Sequence, residues 1–172
     1  IGNALGASLP SLARSISLVA LALGLSVAIF NSTSLILVRN HWGRLWTDDA
    51  DVISLIAQTL PLCAIFQLSD AIGGVGGGIL RGCGRQGVGA WINLAGYYVL
   101  GVPLGLWACF GRYQMGLVGL WVGLTVGLIS VSLVEVWIIL RLDWGREAER
   151  AVERVNAGTV EEGEGLLEEG RA

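Results

Sequence analysis

The sequence predicts an all-α membrane protein with four transmembrane helices, on three observations. Hydrophobic residues make up 53 % of the 172 and charged residues only 15 %, with a mean hydropathy of +0.66. Four runs, residues 13–38, 52–80, 88–111 and 115–140, carry at most one acid each, and each is long enough for the ~20 helical residues that cross a bilayer core. The remaining arginines gather in the connections and the tail. Arg141 to Ala172 holds five Arg and nine acids, a net of −4, whereas the preceding residues carry a net of +1. The acidic balance therefore belongs to the tail. All eleven basic residues are Arg, and none form a cluster that would track a phosphate backbone, so nucleic acid is not an expected partner. Cys63, Cys83 and Cys109 lack CxxC spacing and lie in or beside apolar runs, as small buried residues do. The chain opens on Ile1 without a signal-peptide pattern and is expected to be a fragment of a longer polypeptide.

Residues 1–12 form a turn-rich entry, in which Ser8 and Pro10 suit a helix start. The first span follows without charge from Ser15 to Val38. Its polar stretch Asn31-Ser32-Thr33-Ser34 can bond back to its own backbone or across to a neighbour. Arg39 to Asp51 is a polar connection flanked by Trp42 and Trp46, as interfacial aromatics often are. The sole histidine, His41, is expected to be a loop residue rather than a proton relay.

The second span carries one charge, Asp70. It exceeds the bilayer thickness, and Pro61 is its expected kink. Gly73-Gly74-Val75-Gly76-Gly77-Gly78 follows. A phosphate loop is excluded, because no Gly-Lys-Ser/Thr follows and the GxGxxG spacing fails at Ile79. The pairs Gly73/Gly77, Gly74/Gly78 and Gly78/Gly82 instead predict close helix packing. Arg81 to Gly87 is a turn. The third span carries Asn93, Tyr97, Tyr98 and a second expected bend at Pro103. The fourth carries Gly119, Gly123 and Gly127 along one stripe, another packing surface. Glu135, near its end, is expected to snorkel to the interface. Residues 143–172 form an acidic tail, a short surface helix and then a disordered segment. Eight arginines fall with the entry, the 81–87 turn and the tail, against three on the other side. The positive-inside rule thus predicts a cytoplasmic C-terminus.

Asp70 is the chemically informative residue. An ionised, unpaired carboxylate in mid-membrane costs ~2.5–3.5 kcal/mol on insertion scales. With no Lys or Arg one helical turn away, Asp70 must be protonated, hydrogen-bonded by a neighbouring helix, or facing a wet cavity. A group so placed binds a proton or a cation, and Asn93, Tyr97 and Tyr98 are candidate hydrogen-bond partners. The bland alternative is a structural acid beside a glycine-weakened turn.

Pro61, Asp70, Arg81-Gly82-Cys83-Gly84-Arg85-Gln86, Gly89-Ala90, Asn93-Leu94, Tyr97-Tyr98, Gly101, Pro103 and Gly116-Leu117-Val118-Gly119-Leu120-Trp121 together resemble the C-terminal half of the eukaryotic multidrug and toxic compound extrusion (MATE) transporters. Gly2-Asn3-Ala4-Leu5-Gly6-Ala7 resembles the approach to that family's ninth helix, and Arg141-Leu142-Asp143-Trp144 the exit from its twelfth. The resemblance implies the last four helices of a twelve-helix, two-lobe antiporter in the plasma or vacuolar membrane. It also implies a cationic or amphiphilic small-molecule substrate, a proton as coupling ion and no cofactor or metal. The first eight helices of the same polypeptide and membrane lipid would be its partners. Asp70 falls at the family's tenth-helix carboxylate, whose partner acid on the seventh helix has no counterpart here. The rival expectations are a four-helix membrane assembly subunit and a sodium-coupled transporter. An enzyme is not expected, because one loop histidine, scattered cysteines and no paired acids form no catalytic set.

Overall fold

A computed structural model describes the backbone of residues 1–112 and 114–169, and the side chains of those residues through Ala157. The entry is more ordered than the sequence predicts. Gly2–Gly6 forms a short helix, α1, closed by Leu5 N–H to Ile1 O and Ala7 N–H to Asn3 O, both 3.0 Å. Ala4 and Leu5 have a core to bury in, and that burial holds the turn. Ser8 does not cap the next helix. It sits in the left-handed region at φ 57°, donates its N–H to Leu5 O at 2.9 Å, and leaves Leu9 at the N-cap without a side-chain bond.

Pro10 opens α2 (Pro10–Trp42), where its missing N–H costs nothing. Within the predicted polar stretch, Ser34 Oγ bonds back to Phe30 O at 2.9 Å, and Ser32 Oγ crosses to Ala64 O at 2.7 Å. Ala64 belongs to α3 (Ala50–Gly82). That helix starts where the Asp49 carboxylate accepts the N–H groups of Asp51 and Val52, at 2.9 and 3.3 Å. It runs on through Pro61 as one continuous helix. Its 33 residues correspond to roughly 50 Å at ~1.5 Å per residue, so it reaches well past a bilayer core. The turn after it needs Gly84 at φ 72°, where a Cβ would also meet the Arg154 guanidinium.

The third span is not one regular helix. It consists of α4 (Gln86–Leu94), a π-helical turn over Ala95–Gly101, and α5 (Val102–Phe110). Val102 N–H reaches back five residues to Tyr97 O. Pro103 has no N–H for Val99 O, so the widened turn sits directly ahead of the proline. Helix α6 (Leu117–Leu140) returns across the span, and α7 (Trp144–Glu169) leaves it.

The four long elements, counting α4 to α5 as one, are long and apolar enough to cross a membrane. Helix α2 packs on α3, α3 on α6, and α6 on the third span. The last contact is glycine on glycine. A Cβ at Gly119 would strike the Ala108–Cys109 backbone, one at Gly123 would strike Gly101 and Gly105, and one at Gly127 would strike Gly96 and Gly101. Backbones that close need small residues on both sides. Leu23, Phe30, Leu37, Trp107, Phe110 and Leu133 stay exposed on the outer faces, as lipid-facing side chains are.

The tail departs from its predicted form. The sequence predicts a short surface helix followed by disorder, whereas α7 is helical to Glu169; residues 170–172 lie outside the described residues. Its first turns are packed rather than exposed. Ala148 and Ala151 share a cluster with Ala4, Leu5, Ala13, Ile79, Leu80, Cys83 and Ile139. Glu147, 1 % exposed, accepts from Arg85 Nη2 and, at 3.1 Å, from Arg150 Nη1. Arg154 Nη2 donates to Cys83 O at 3.1 Å, supplying a partner at the C-terminal end of α3. Alternating charge signals a solvated helix only when the partners lie on the same helix, and here Arg85 comes from another. Entry, 81–87 turn and tail therefore gather at one end of the helices.

Candidate functional site

Asp70, Gly74, Gly77 and Arg81 recur along α3 at steps of four, three and four, which puts them on one helical face. That face borders a cavity of about 190 Å³, closed on the other side by Asn93 and Tyr97 of the third span and by Leu128 and Val131 of α6. The glycines leave the space, because no side chain projects from α3 between Asp70 and Arg81 on this face. Asn93 lies on the last turn of α4 and Tyr97 in the π-helical turn. Both are half-buried.

Asp70 itself differs from the sequence expectation. It is exposed in the described chain rather than buried, since the third span covers only one side of its face of α3. Asn93 also has a different partner. Its Nδ2 donates to Gly89 O at 2.9 Å and to Glu135 Oε1 at 3.3 Å. Tyr97 shares the cavity with Asp70, but Tyr98 does not. It is 69 % exposed on the outer surface, because consecutive helical residues project in different directions. Arg81 is the residue sequence reasoning overlooked on this face. It lies several turns from Asp70, but the 70/74/77/81 spacing was readable.

Glu135 is the larger surprise. It does not snorkel. It is 0 % exposed, and its carboxylate sits among Gly73, Gly76 and Gly77 of α3 and Gly89 of α4. The glycine run, expected only as a helix-packing surface, thus has two functions. Gly73, Gly76 and Gly77 make room for a carboxylate, while Gly74 and Gly78 have nothing within 4 Å of a Cβ and face open space. Gly82 packs on Ile1 of the entry instead. A run of small residues on one span opposite a lone acid on another was the available signal, but helix rotation had to be known to use it.

No group of three His, Cys, Asp or Glu among the described residues is placed to hold a metal ion. Chemically the arrangement is a small polar cleft between apolar spans. It has a carboxylate and a guanidinium on one wall and an amide and a phenol on the other.

Comparison with known proteins identifies relatives across most of the chain. The family model MatE matches residues 1–107. The uncharacterized transporter C4B3.13 of Schizosaccharomyces pombe is 36 % identical over 151 residues, 88 % of this chain and 28 % of its own length. Multidrug and toxin extrusion protein 1 of Oryctolagus cuniculus is 38 % identical over 157 residues, covering 91 % of this chain and 27 % of that protein. Protein DETOXIFICATION 48 of Arabidopsis thaliana is 36 % identical over 89 % of this chain and 29 % of its own length. The crystal structure of the eukaryotic MATE transporter AtDTX14 superposes with a TM-score of 0.83 at 33 % identity, covering 89 % of this chain and 34 % of that one. The chain therefore spans little more than a quarter of the curated relatives' length.

Proposed function

This chain belongs to the MatE family, and from that premise we propose that it supplies the last four helices of a twelve-helix antiporter exporting organic cations, drugs or metabolites in exchange for protons. The observation that carries this reading is the cleft in which Asp70 shares a wall with Arg81 and faces Asn93 and Tyr97. Asp70 is exposed in the described chain. A carboxylate there meets either a proton or a cationic substrate, and the two compete for the same oxygens. Opening the cleft to one side of the membrane and then the other turns that competition into exchange. Asn93 and Tyr97 hydrogen-bond polar groups in the cleft without adding charge. The π-helical turn that carries Tyr97 is a point where the third span can change shape, as π-bulges at functional sites often are. The Arg81 end, with the entry and tail, would face the cytoplasm.

The test is efflux of a fluorescent organic cation from vesicles containing the full-length polypeptide under an imposed pH gradient, wild type against Asp70→Asn at equal membrane levels. Loss of gradient-driven efflux in the variant supports the reading. Unchanged efflux makes Asp70 a structural acid and ends this mechanism.

A further inference from the structure

Glu135 is a fully buried acid that the cleft does not use. Its Oε2 has no hydrogen-bond partner among the described residues, its Oε1 accepts a long bond, 3.3 Å, from Asn93 Nδ2, and the Gly77 backbone N–H also approaches the carboxylate. The recess around it is made by missing side chains. A Cβ at Gly76 would lie 2.8 Å from Oε2, one at Gly73 3.7 Å from Oε2, one at Gly77 3.7 Å from Oε1, and one at Gly89 3.9 Å from Oε1. Four glycines from two elements thus enclose one carboxylate.

The recess and the cleft share walls. Gly73, Gly77 and Asn93 line both, and Val131, one turn before Glu135 on α6, lines the cleft. We propose that Glu135, held by Asn93 in this glycine recess, is a second proton-binding carboxylate that exchanges its proton with the Asp70 cleft. The ligand is a proton rather than a metal ion, because the glycine backbone closes on Oε2 and no further acid joins it. In the exchange an O–H bond forms on Oε2 from a hydronium ion in the cleft, releasing water, and the reverse step returns the proton to cleft water. The charged and titratable groups on the cleft side are Asp70 and Arg81 of α3 and Tyr97 of the third span. On α6 itself Ser132 is the polar neighbour, its Oγ bonded to Ile129 O at 3.0 Å. An acid that only glued helices would need its oxygens satisfied, whereas this one keeps one free beside a polar cleft.

This deepens the antiporter reading and rests on it for its physiological meaning, but proton binding can be measured without transport. The full-length polypeptide in lipid vesicles is titrated by infrared difference spectroscopy, following the carboxylic C=O band, and assayed in parallel for efflux against pH. Glu135→Gln keeps the shape of the protonated acid and removes the proton site. The expected result is loss of one titrating carboxyl band, a flattened pH profile of efflux and at least a tenfold drop in gradient-driven rate. Glu135→Asp should retain a titrating band. Unchanged band and pH profile in Glu135→Gln would overturn the proposal and leave a packing acid. Should Glu135→Gln not reach the membrane, Asn93→Ala decides: a shifted titration of the band is expected, and an unshifted one refutes the link. Absence of efflux in wild type with the band still titrating would count against the antiporter, not against the proton site.

Discussion

Gly76→Ala tests the recess directly. The new methyl would lie 2.8 Å from Glu135 Oε2 and 3.2 Å from Glu135 Cβ, inside the distance that unbonded carbon tolerates. Overpacking of this kind costs about 1–3 kcal/mol. Alanine in place of a mid-helix glycine returns about 0.5–1 kcal/mol. The net runs from about zero to a destabilisation of about 2.5 kcal/mol, at the lower end if the Glu135 side chain can swing away. Gly74→Ala, two residues earlier, meets nothing within 4 Å and should be neutral or slightly stabilising. The assay is thermal unfolding of the full-length polypeptide in detergent, followed by tryptophan fluorescence. The decisive variant is Gly76→Ala combined with Glu135→Ala, where removing the carboxylate should relieve part of the clash and make the pair less harmful than the sum of the singles. Equal midpoints for Gly74→Ala and Gly76→Ala, or strict additivity in the double variant, would refute the recess.

Four further outcomes follow from other contacts. Gly123→Ala should damage the fold more than Gly76→Ala, because the added carbon meets Gly105 backbone and Gly101 O rather than a movable side chain; unfolding midpoints rank the two. Arg85→Ala should loosen α7, since among the described residues Glu147, at 1 % exposure, then keeps only Arg150 as a charged partner, and limited proteolysis should cut the start of α7 faster. Burial pushes the Cys83 thiol up, with the nearby Glu147 carboxylate adding to it and the Arg85 guanidinium opposing it, so maleimide should label Cys83 slowly in wild type. The hydrogen bond to Glu147 raises the Arg85 guanidinium above its ordinary value. Its stabilisation is therefore fully present below that ordinary value and is lost only as pH rises through the folded one, so α7 docking should stay constant from neutral to moderately alkaline pH by the same proteolysis assay.

Much of the cleft was legible in the sequence, and the reason is helical period. Asp70 stood out as the only charge of its span, and Asn93 and Tyr97 recur four apart on the next, which puts them on one face. The same period separates Tyr98 from Tyr97 and aligns Arg81 with Asp70, so both corrections were within reach. Glu135 was not. Its position near the end of α6 suggested the interface, and only the rotation of α6 against α3 turns it inward. Ala148 and Glu147 likewise read as part of a solvated charged helix until Arg85 and the α1 core met them from other parts of the chain.

By itself the sequence determined that four helices cross a membrane, because lipid leaves backbone polar groups no partner outside a helix or closed barrel and demands long uncharged runs. Its spaced motifs also determined the family. Tertiary structure alone decided which acid is buried, which glycines make room and which make contact, and how the tail docks. Those depend on the rotation and register of one helix against another, set by packing between residues far apart in the chain. The period of a single helix carries no record of them.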